Sequence, residues 1–230
     1  MKYSNFSIVI PIFNEAHNIE ELLKEIHESL KECYDFEIII VNDFSSDNSK
    51  EIINKYLDKY KINLINNKKN YGQSFSISCG IKNSAYNTIV TIDGDGQNNP
   101  NDIPKLLYEY FADREIKLVG GIRYKRQDSY VKKISSKIAN NIRKIILNDK
   151  CDDTGCSLKV FDKKIFLLFP YFNGIHRFLP ALFTGYGYNT KFIKVDHRKR
   201  KFGYSKYGTF DRLIRGVRDI FKVLKIRCIQ

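Results

Sequence analysis

Apolar residues fall along this chain in two rhythms. Phe6–Pro11, Phe36–Val41, Ile62–Ile65, Thr88–Ile92 and Leu118–Gly121 are short, nearly unbroken apolar runs, the pattern of strands buried on both faces. Between them apolar positions recur every three or four residues, which predicts helices with one buried face. Ile19, Leu22, Leu23, Ile26 and Leu30 mark a helix capped at Asn18 and running to about Glu32. Ile52, Ile53, Tyr56, Leu57 and Tyr60 mark another that starts at Asp47 or Ser49. Gln73–Lys82 follows, then Ile103–Phe111, whose Pro104 suits a first turn. The fold class this predicts is α/β, with a mainly parallel central sheet flanked by helices on both faces. Ligands of such sheets gather at the carboxyl ends of the strands. That singles out the polar segments Phe13–Glu15, Asn42–Ser46, Asn66–Gly72 and Asp93–Gln97.

After Gly121 the alternation weakens. Ser129–Leu147 reads as a helix with Ile134, Ile138, Ile142 and Ile145 or Ile146 inward. Cys156–Phe161 and Tyr188–Val195 read as strands, and Lys163–Leu168 and Phe178–Phe183 as helices. The last helix, Asp211–Ile226, gathers Leu213, Ile214, Val217, Ile220, Phe221 and Leu224 on one side. Arg212, Arg215, Arg218, Lys222 and Lys225 occupy the rest. Such a helix either lies on an anionic membrane or packs on the protein's own core.

Charge narrows the partners. A net charge of +13 implies an anionic one: nucleic acid, a membrane surface or a phosphorylated substrate. The five cysteines match no zinc spacing and no disulfide framework, so a reducing compartment is expected, with Cys79 buried. Met1–Asn5 is polar, unlike a signal peptide. No apolar run approaches the roughly 18 residues of a membrane span, so a soluble or peripheral protein is expected.

The strongest chemistry is at Ile89-Val-Thr-Ile-Asp93-Gly-Asp95-Gly-Gln97. A buried strand delivers two carboxylates into a loop made pliable by glycines. Hard oxygen ligands at this spacing can hold Mg²⁺ or Mn²⁺ and leave positions for phosphate oxygens, and Gln97 offers a third oxygen.

These residues sit among others that together resemble a family-2 glycosyltransferase of the dolichol- or polyprenyl-phosphate sugar synthase type. The matching stretches are Ile8–Glu15, Ile40–Ser49, Asn70–Ser74, Asp93–Gln97, Gly121–Tyr124, Asp153–Ser157, His176–Pro180, and His197-Arg198 through Gly203–Tyr207. The resemblance runs from about residue 6 to about residue 222. It implies a GT-A fold in one domain over 1–230: a nucleotide-sugar-binding half to about 121, an acceptor half over about 122–210, and the amphipathic helix over about 211–230. It further implies a UDP- or GDP-sugar donor, Mg²⁺ or Mn²⁺, inversion at the anomeric carbon and a polyprenyl phosphate acceptor. No nucleic acid partner is expected. The enzyme would be cytoplasmic, peripheral on the cytoplasmic face of the inner membrane. Sugar identity and oligomeric state stay open.

By that resemblance Pro11, Phe13, Asn14 and Glu15 form the first donor loop, Asp43 faces the nucleoside, and Ser45 and Gly72 join them in binding the nucleotide sugar. Asp95 and Gln97 face metal and diphosphate, and Asp93 is their companion acid, on the metal or the donor sugar. A larger residue is common in the family where Gly96 stands, a departure expected to widen the sugar pocket. Arg123 grips the acceptor phosphate through its planar fork of donors. Lys132, where the family commonly has Arg, and Ser136 add a basic-plus-hydroxyl pair. Arg198, Ser205 and Lys206 belong to a late loop closing over the diphosphate. Plainer readings stand beside these. Glu15 supports the next helix N-terminus, Asp43 builds a turn with Ser45 and Ser46, and Asp153 caps a turn before Gly155. Each candidate cation can equally be a solvated surface charge.

The acceptor decides whether a base is needed. A phosphate monoester is already ionised and needs only alignment and a stabilised leaving group. A saccharide hydroxyl, the alternative acceptor, needs a general base. Asp153 is the best candidate, ahead of His176, whose apolar neighbours favour a structural role. An alternative of another class is a non-catalytic basic binding module.

Overall fold

A computed structural model describes residues 3–32, 34–124, 141, 143–202 and 209–227. The predicted strands and helices alternate as expected: β1 (Tyr3–Ile12), α1 (Ala16–Leu30), β2 (Tyr34–Asn42), α2 (Ser49–Asn54), β3 (Ile62–Asn66), α3 (Gln73–Lys82), β4 (Thr88–Thr91), α4 (Ile103–Ala112) and β5 (Ile116–Tyr124). β6 (Lys159–Asp162) and β7 (Asn189–Asp196) complete a seven-stranded sheet of order β3-β2-β1-β4-β6-β5-β7. The β1–β2, β1–β4, β2–β3 and β5–β7 pairs are parallel; β6 runs antiparallel to both β4 and β5. The sheet is thus mainly parallel, as the apolar runs predict.

Alternation along β1 sorts its side chains into two cores. Phe6, Ile8, Ile10 and Ile12 pack under α1 and α4, while Val9 joins α3 and the apolar helices after β6. Those helices span Lys163–Phe166, Leu179–Gly185 and Thr209–Arg227. Pro11 has no N–H to give a ladder, and it lies past Val9↔Thr91, the last β1–β4 pair, with only β2 beside it.

Several elements differ from the sequence reading. α1 begins at Ala16, so Asn18 is a buried residue inside the helix rather than its cap. α2 ends at Asn54; the chain continues to Tyr60 in turns, such as Tyr56 N–H to Ile53 O. A six-residue helix has little stability of its own, and Tyr56 and Tyr60 still pack against α1 through the His27 ring, 4.4 Å from that of Tyr60. β6 begins at Lys159, not Cys156, because 153–156 forms a turn closed by Cys156 N–H to Asp153 O. Of the expected helix over 129–147, residues 141 and 143–147 are helical, with Ile145 and Ile146 both exposed rather than one of them inward; 125–140 and 142 lie outside the described residues.

On the C-terminal helix, Ile220 and Val223 face the core while Phe221 is exposed. The side chains of Leu213, Ile214, Val217, Arg212 and Arg215 lie outside the described ones. Cys79 is half-buried rather than buried, and Cys79, Cys151 and Cys156 are free thiols. Cys33 and Cys228 lie outside the described residues. Among those described, no helix is long and apolar enough to cross a membrane.

Candidate active site

β1 is flanked by β2 on one side and β4 on the other, so the chain winds outward from it in both directions. The crevice at the carboxyl ends of β1, β2 and β4 lies at this switch point. The loops that meet there are knitted by their own polar side chains. Asn14, at φ 55, donates its N–H to Ser45 Oγ at 2.9 Å, and its side-chain oxygen accepts from Ser46 N–H at 2.8 Å. Glu15 N–H reaches Ser49 Oγ, and Ala16 N–H reaches Asp47 Oδ2, both at 3.0 Å. Asp47 therefore serves the α1 N-terminus. Glu15 makes no cap bond with its side chain, which instead accepts from Asn18 Nδ2 at 2.8 Å.

Asp43 is 4% exposed and holds the loop after β3. Its Oδ1 accepts from Asn67 Nδ2 at 2.7 Å and Tyr71 N–H at 2.9 Å, and its Oδ2 from Gly72 N–H at 2.8 Å. The turn with Ser45 is made instead by Asn42, whose Oδ1 accepts Ser45 N–H at 3.0 Å. Gly72 has φ 90, a value glycine adopts without a Cβ clash, and this lets the chain enter α3. Phe44, beside Asp43, has φ 65 and an exposed ring, a strained backbone for a bulky residue.

The acids after β4 face different partners. Asp93 Oδ1 accepts from Gln73 Nε2 at 2.7 Å, and Asp93 N–H donates to Ser157 Oγ at 3.2 Å. Burial, with the Asp95 charge second, pushes the Asp93 carboxyl up to about 6. Asp95 Oδ1 accepts Gln97 N–H at 3.1 Å, while Oδ2 pairs with Arg200 at 2.5 Å. Gln97 exchanges bonds with Arg198: its Nε2 donates to Arg198 O at 3.3 Å, and Arg198 N–H donates to Gln97 O at 2.8 Å. Gly94 is required by close approach, since a Cβ there would sit 2.7 Å from Ile12 Cγ2.

Arg123 of β5 and Asp153 form a fork-to-fork pair. Arg123 Nε and Nη2 donate to Asp153 Oδ2 and Oδ1, both at 2.7 Å. A Cβ at Gly155 would lie 2.8 Å from Arg123 Nη2, so the glycine leaves room for the guanidinium. The loop carrying Asp153 is braced by a buried Arg143–Asp149 pair at 2.8 Å. Beneath it the buried Lys159 ammonium donates to the Cys156 carbonyl, and burial lowers its pKa. The Lys159 and Arg123 charges oppose the rise at Asp93, as the weakest influences on it. His176 Nδ1 bonds Ser74 Oγ at 2.8 Å; desolvation, then Arg177 and Lys159, pulls its pKa down to about 3, so the ring is neutral.

Arg198 is turned to α1, with both Glu25 oxygens at 2.8 Å, while Arg200 is the cation on Asp95. Nothing in His197-Arg-Lys-Arg-Lys distinguishes the two by sequence. Gln73 and Lys159 were also missed; their partners lie 20 and three residues away, and only the fold brings Gln73 to Asp93. Lys132, Ser136, Ser205 and Lys206 lie outside the described residues.

The donor set suits a hard divalent cation. No group of three His, Cys, Asp or Glu side chains placed to hold a metal ion by themselves is found among the described residues. Two carboxylates and an amide suit an ion that completes its shell with water and phosphate oxygens. Asp95 already draws a guanidinium to itself, which shows that this loop demands positive charge.

Comparison with known proteins bears on this site. The model for glycosyl transferase family 2 matches residues 7–169. Dodecaprenyl-phosphate galacturonate synthase of Rhizobium johnstonii is 32% identical over 224 residues, 95% of this chain and 66% of that protein. Undecaprenyl-phosphate 4-deoxy-4-formamido-L-arabinose transferase of Salmonella choleraesuis is 34% identical over 224 residues, 95% of this chain and 67% of that protein. The chain thus spans about two thirds of the length of these curated relatives. Glucosyl-3-phosphoglycerate synthase from Mycobacterium tuberculosis, solved with Mn²⁺ and UDP, superposes with a TM-score of 0.74 at 14% identity, covering 97% of this chain and 80% of that one. The same enzyme is also known with Mg²⁺ and UDP.

Proposed function

The chain belongs to glycosyl transferase family 2 and has the GT-A fold, and from that premise we propose that it moves a sugar from a nucleoside-diphosphate sugar to a polyprenyl phosphate. One observation carries this reading: Arg123 is forked onto Asp153, and Ser157 of the same loop accepts the Asp93 N–H, so the guanidinium and the acidic loop are tied together. One cleft thus offers acids at one wall and a rigid guanidinium fork at the other. The names of the relatives, both transferring to a polyprenyl phosphate, point the same way.

In this reading Asp43 and the loop it holds seat the nucleoside, and the Asn14–Ser45 tie fixes the first donor loop against them. Asp95, with Gln97 and Asp93, would hold Mg²⁺ or Mn²⁺. Such an ion supplies charge neutralisation for a departing diphosphate. Arg123 binds and aims the acceptor phosphate, whose oxygen is already anionic and needs no base. Asp153 spends both oxygens on Arg123, so it is read as the brace of that fork rather than as a proton acceptor. Lys132, Ser136 and Lys206 keep the phosphate-facing roles the family resemblance gives them, whereas Arg198, held by Glu25, gives its place over the acids to Arg200.

The test is a thermal melt followed by product analysis. UDP or GDP with Mn²⁺ at about 100 times its Kd should raise the midpoint by roughly 5–10 °C. The matching nucleotide sugar should then yield a lipid-linked sugar with a short polyprenyl phosphate. No shift with either nucleotide at millimolar concentration would instead favour a basic module without catalysis.

The peripheral location is proposed from the C-terminal helix and its neighbourhood. Exposed Phe221 with Lys222 and Lys225 on the helix, and exposed Ile145 and Ile146 beside its end, form a basic apolar surface. Such a surface suits anionic lipid at a cytoplasmic face. The protein should sediment with vesicles containing phosphatidylglycerol and be released several-fold as salt screens the contact. Equal binding to neutral vesicles would rule the electrostatic part out.

A further inference from the structure

The segment His197–Phe202 lies as a strap over the acidic loop. Asn98 and His197 form an isolated bridge, and the Gln97–Arg198 bonds continue it. Beyond that the strap is fastened to α1: Arg198 to Glu25, Lys201 to Glu21 at 2.6 Å, and the Phe202 ring 5.4 Å from that of His17. Arg200, between these fastenings, is delivered to the acids. Its Nη2 is 2.5 Å from Asp95 Oδ2 and 4.0 Å from Glu15 Oε1. The pair is mostly shielded from water, with side-chain exposures of 23% and 13%.

One oxygen of each acid has a duty of its own: Asp95 Oδ1 takes the Gln97 N–H, and Asp93 Oδ1 takes Gln73. Within the Asp95 carboxylate, Oδ2 is the oxygen left to a divalent cation, and the Arg200 guanidinium already holds it. The two cations cannot share that oxygen without strong repulsion in a partly desolvated cleft.

We propose that Arg200 is an internal competitor for the metal, setting the affinity of Asp95 for Mg²⁺ or Mn²⁺ from within the chain. A metal enters only as Arg200 yields, so the strap and the ion exclude each other at this carboxylate. This rests on the proposed metal role of Asp95. It adds a residue that opposes binding, one whose loss should improve it.

The experiment titrates Mn²⁺ alone into the chelator-treated full chain, following free Mn²⁺ by electron paramagnetic resonance. Arg200→Gln should bind Mn²⁺ about tenfold more tightly than the parent, the size of one charge-assisted hydrogen bond lost by the competitor. Lys201→Gln removes the same charge from the same strap, but Lys201 is paired, among the described residues, with Glu21, where both side chains are more than half exposed. It should change the affinity less than twofold. Equal tightening in both variants would reduce the effect to net charge and overturn the proposal. So would an Arg200→Gln affinity no better than the parent. If Mn²⁺ binds none of the three proteins even with excess UDP, the metal reading itself fails and this inference with it.

Discussion

Asp95→Ala is expected to lower sugar transfer on the order of 10³-fold, about 4 kcal/mol of transition-state stabilisation, the scale of losing an electrostatic anchor for a leaving group. The residue can be removed without harming the fold. Its side chain packs in neither core, and its bonds are to Gln97 N–H and to Arg200, which sits partly in water. The melting midpoint should therefore move little. The loss should appear in turnover of a nucleotide sugar with a short polyprenyl phosphate at saturating Mn²⁺. Asp95→Asn keeps the shape and the Gln97 bond but loses the charge, and it should be nearly as inactive. Retained turnover in either variant, with intact melting, would remove the metal role from this loop.

The parts of this cleft that could be read from sequence share one property: their signal is local. Continuous apolar runs announced β1 to β5, and the polar residues closing each run announced the loops that meet in the crevice. Asp93 and Asp95 stand out because a buried strand ends on them. What was not legible depends on distant partners. The insertion of β6 between β4 and β5, against their direction, leaves no mark in Lys159-Val-Phe-Asp162, four residues whose order says nothing of strand direction. Asn18 looked like a cap because its residue type suits one, yet Asp47, 31 residues from Ala16, satisfies that helix start. Arg198 and Arg200 differ only by which acid the fold presents: Glu25 on α1 to one, Asp95 to the other.

The same dependence on distant pairing decides the acceptor chemistry. Arg123 and Asp153 were read separately, one as a phosphate grip and the other as a base. Their two hydrogen bonds at 2.7 Å, with side chains 16% and 7% exposed, make them one unit. If the acceptor is a phosphate, the guanidinium is the working group. Arg123→Ala should then cut kcat/KM for the lipid phosphate by about 10²- to 10³-fold, most of it in KM, because a bidentate charge-assisted contact is lost. Arg123→Lys should recover little, since a point charge cannot reproduce the fork. Asp153→Asn still offers one oxygen to the guanidinium and should cost only about tenfold. If the acceptor is a hydroxyl, the order reverses: Asp153→Asn is dead and Arg123→Ala is tolerated. Removing Arg123 also strands a buried carboxylate, at a cost of about 3–5 kcal/mol in stability. Each variant must therefore still show the UDP–Mn²⁺ thermal shift before its kinetics are compared. A loss of that shift alongside activity would mark a damaged fold, whereas a rise in KM with the shift intact isolates the acceptor phosphate as what Arg123 holds.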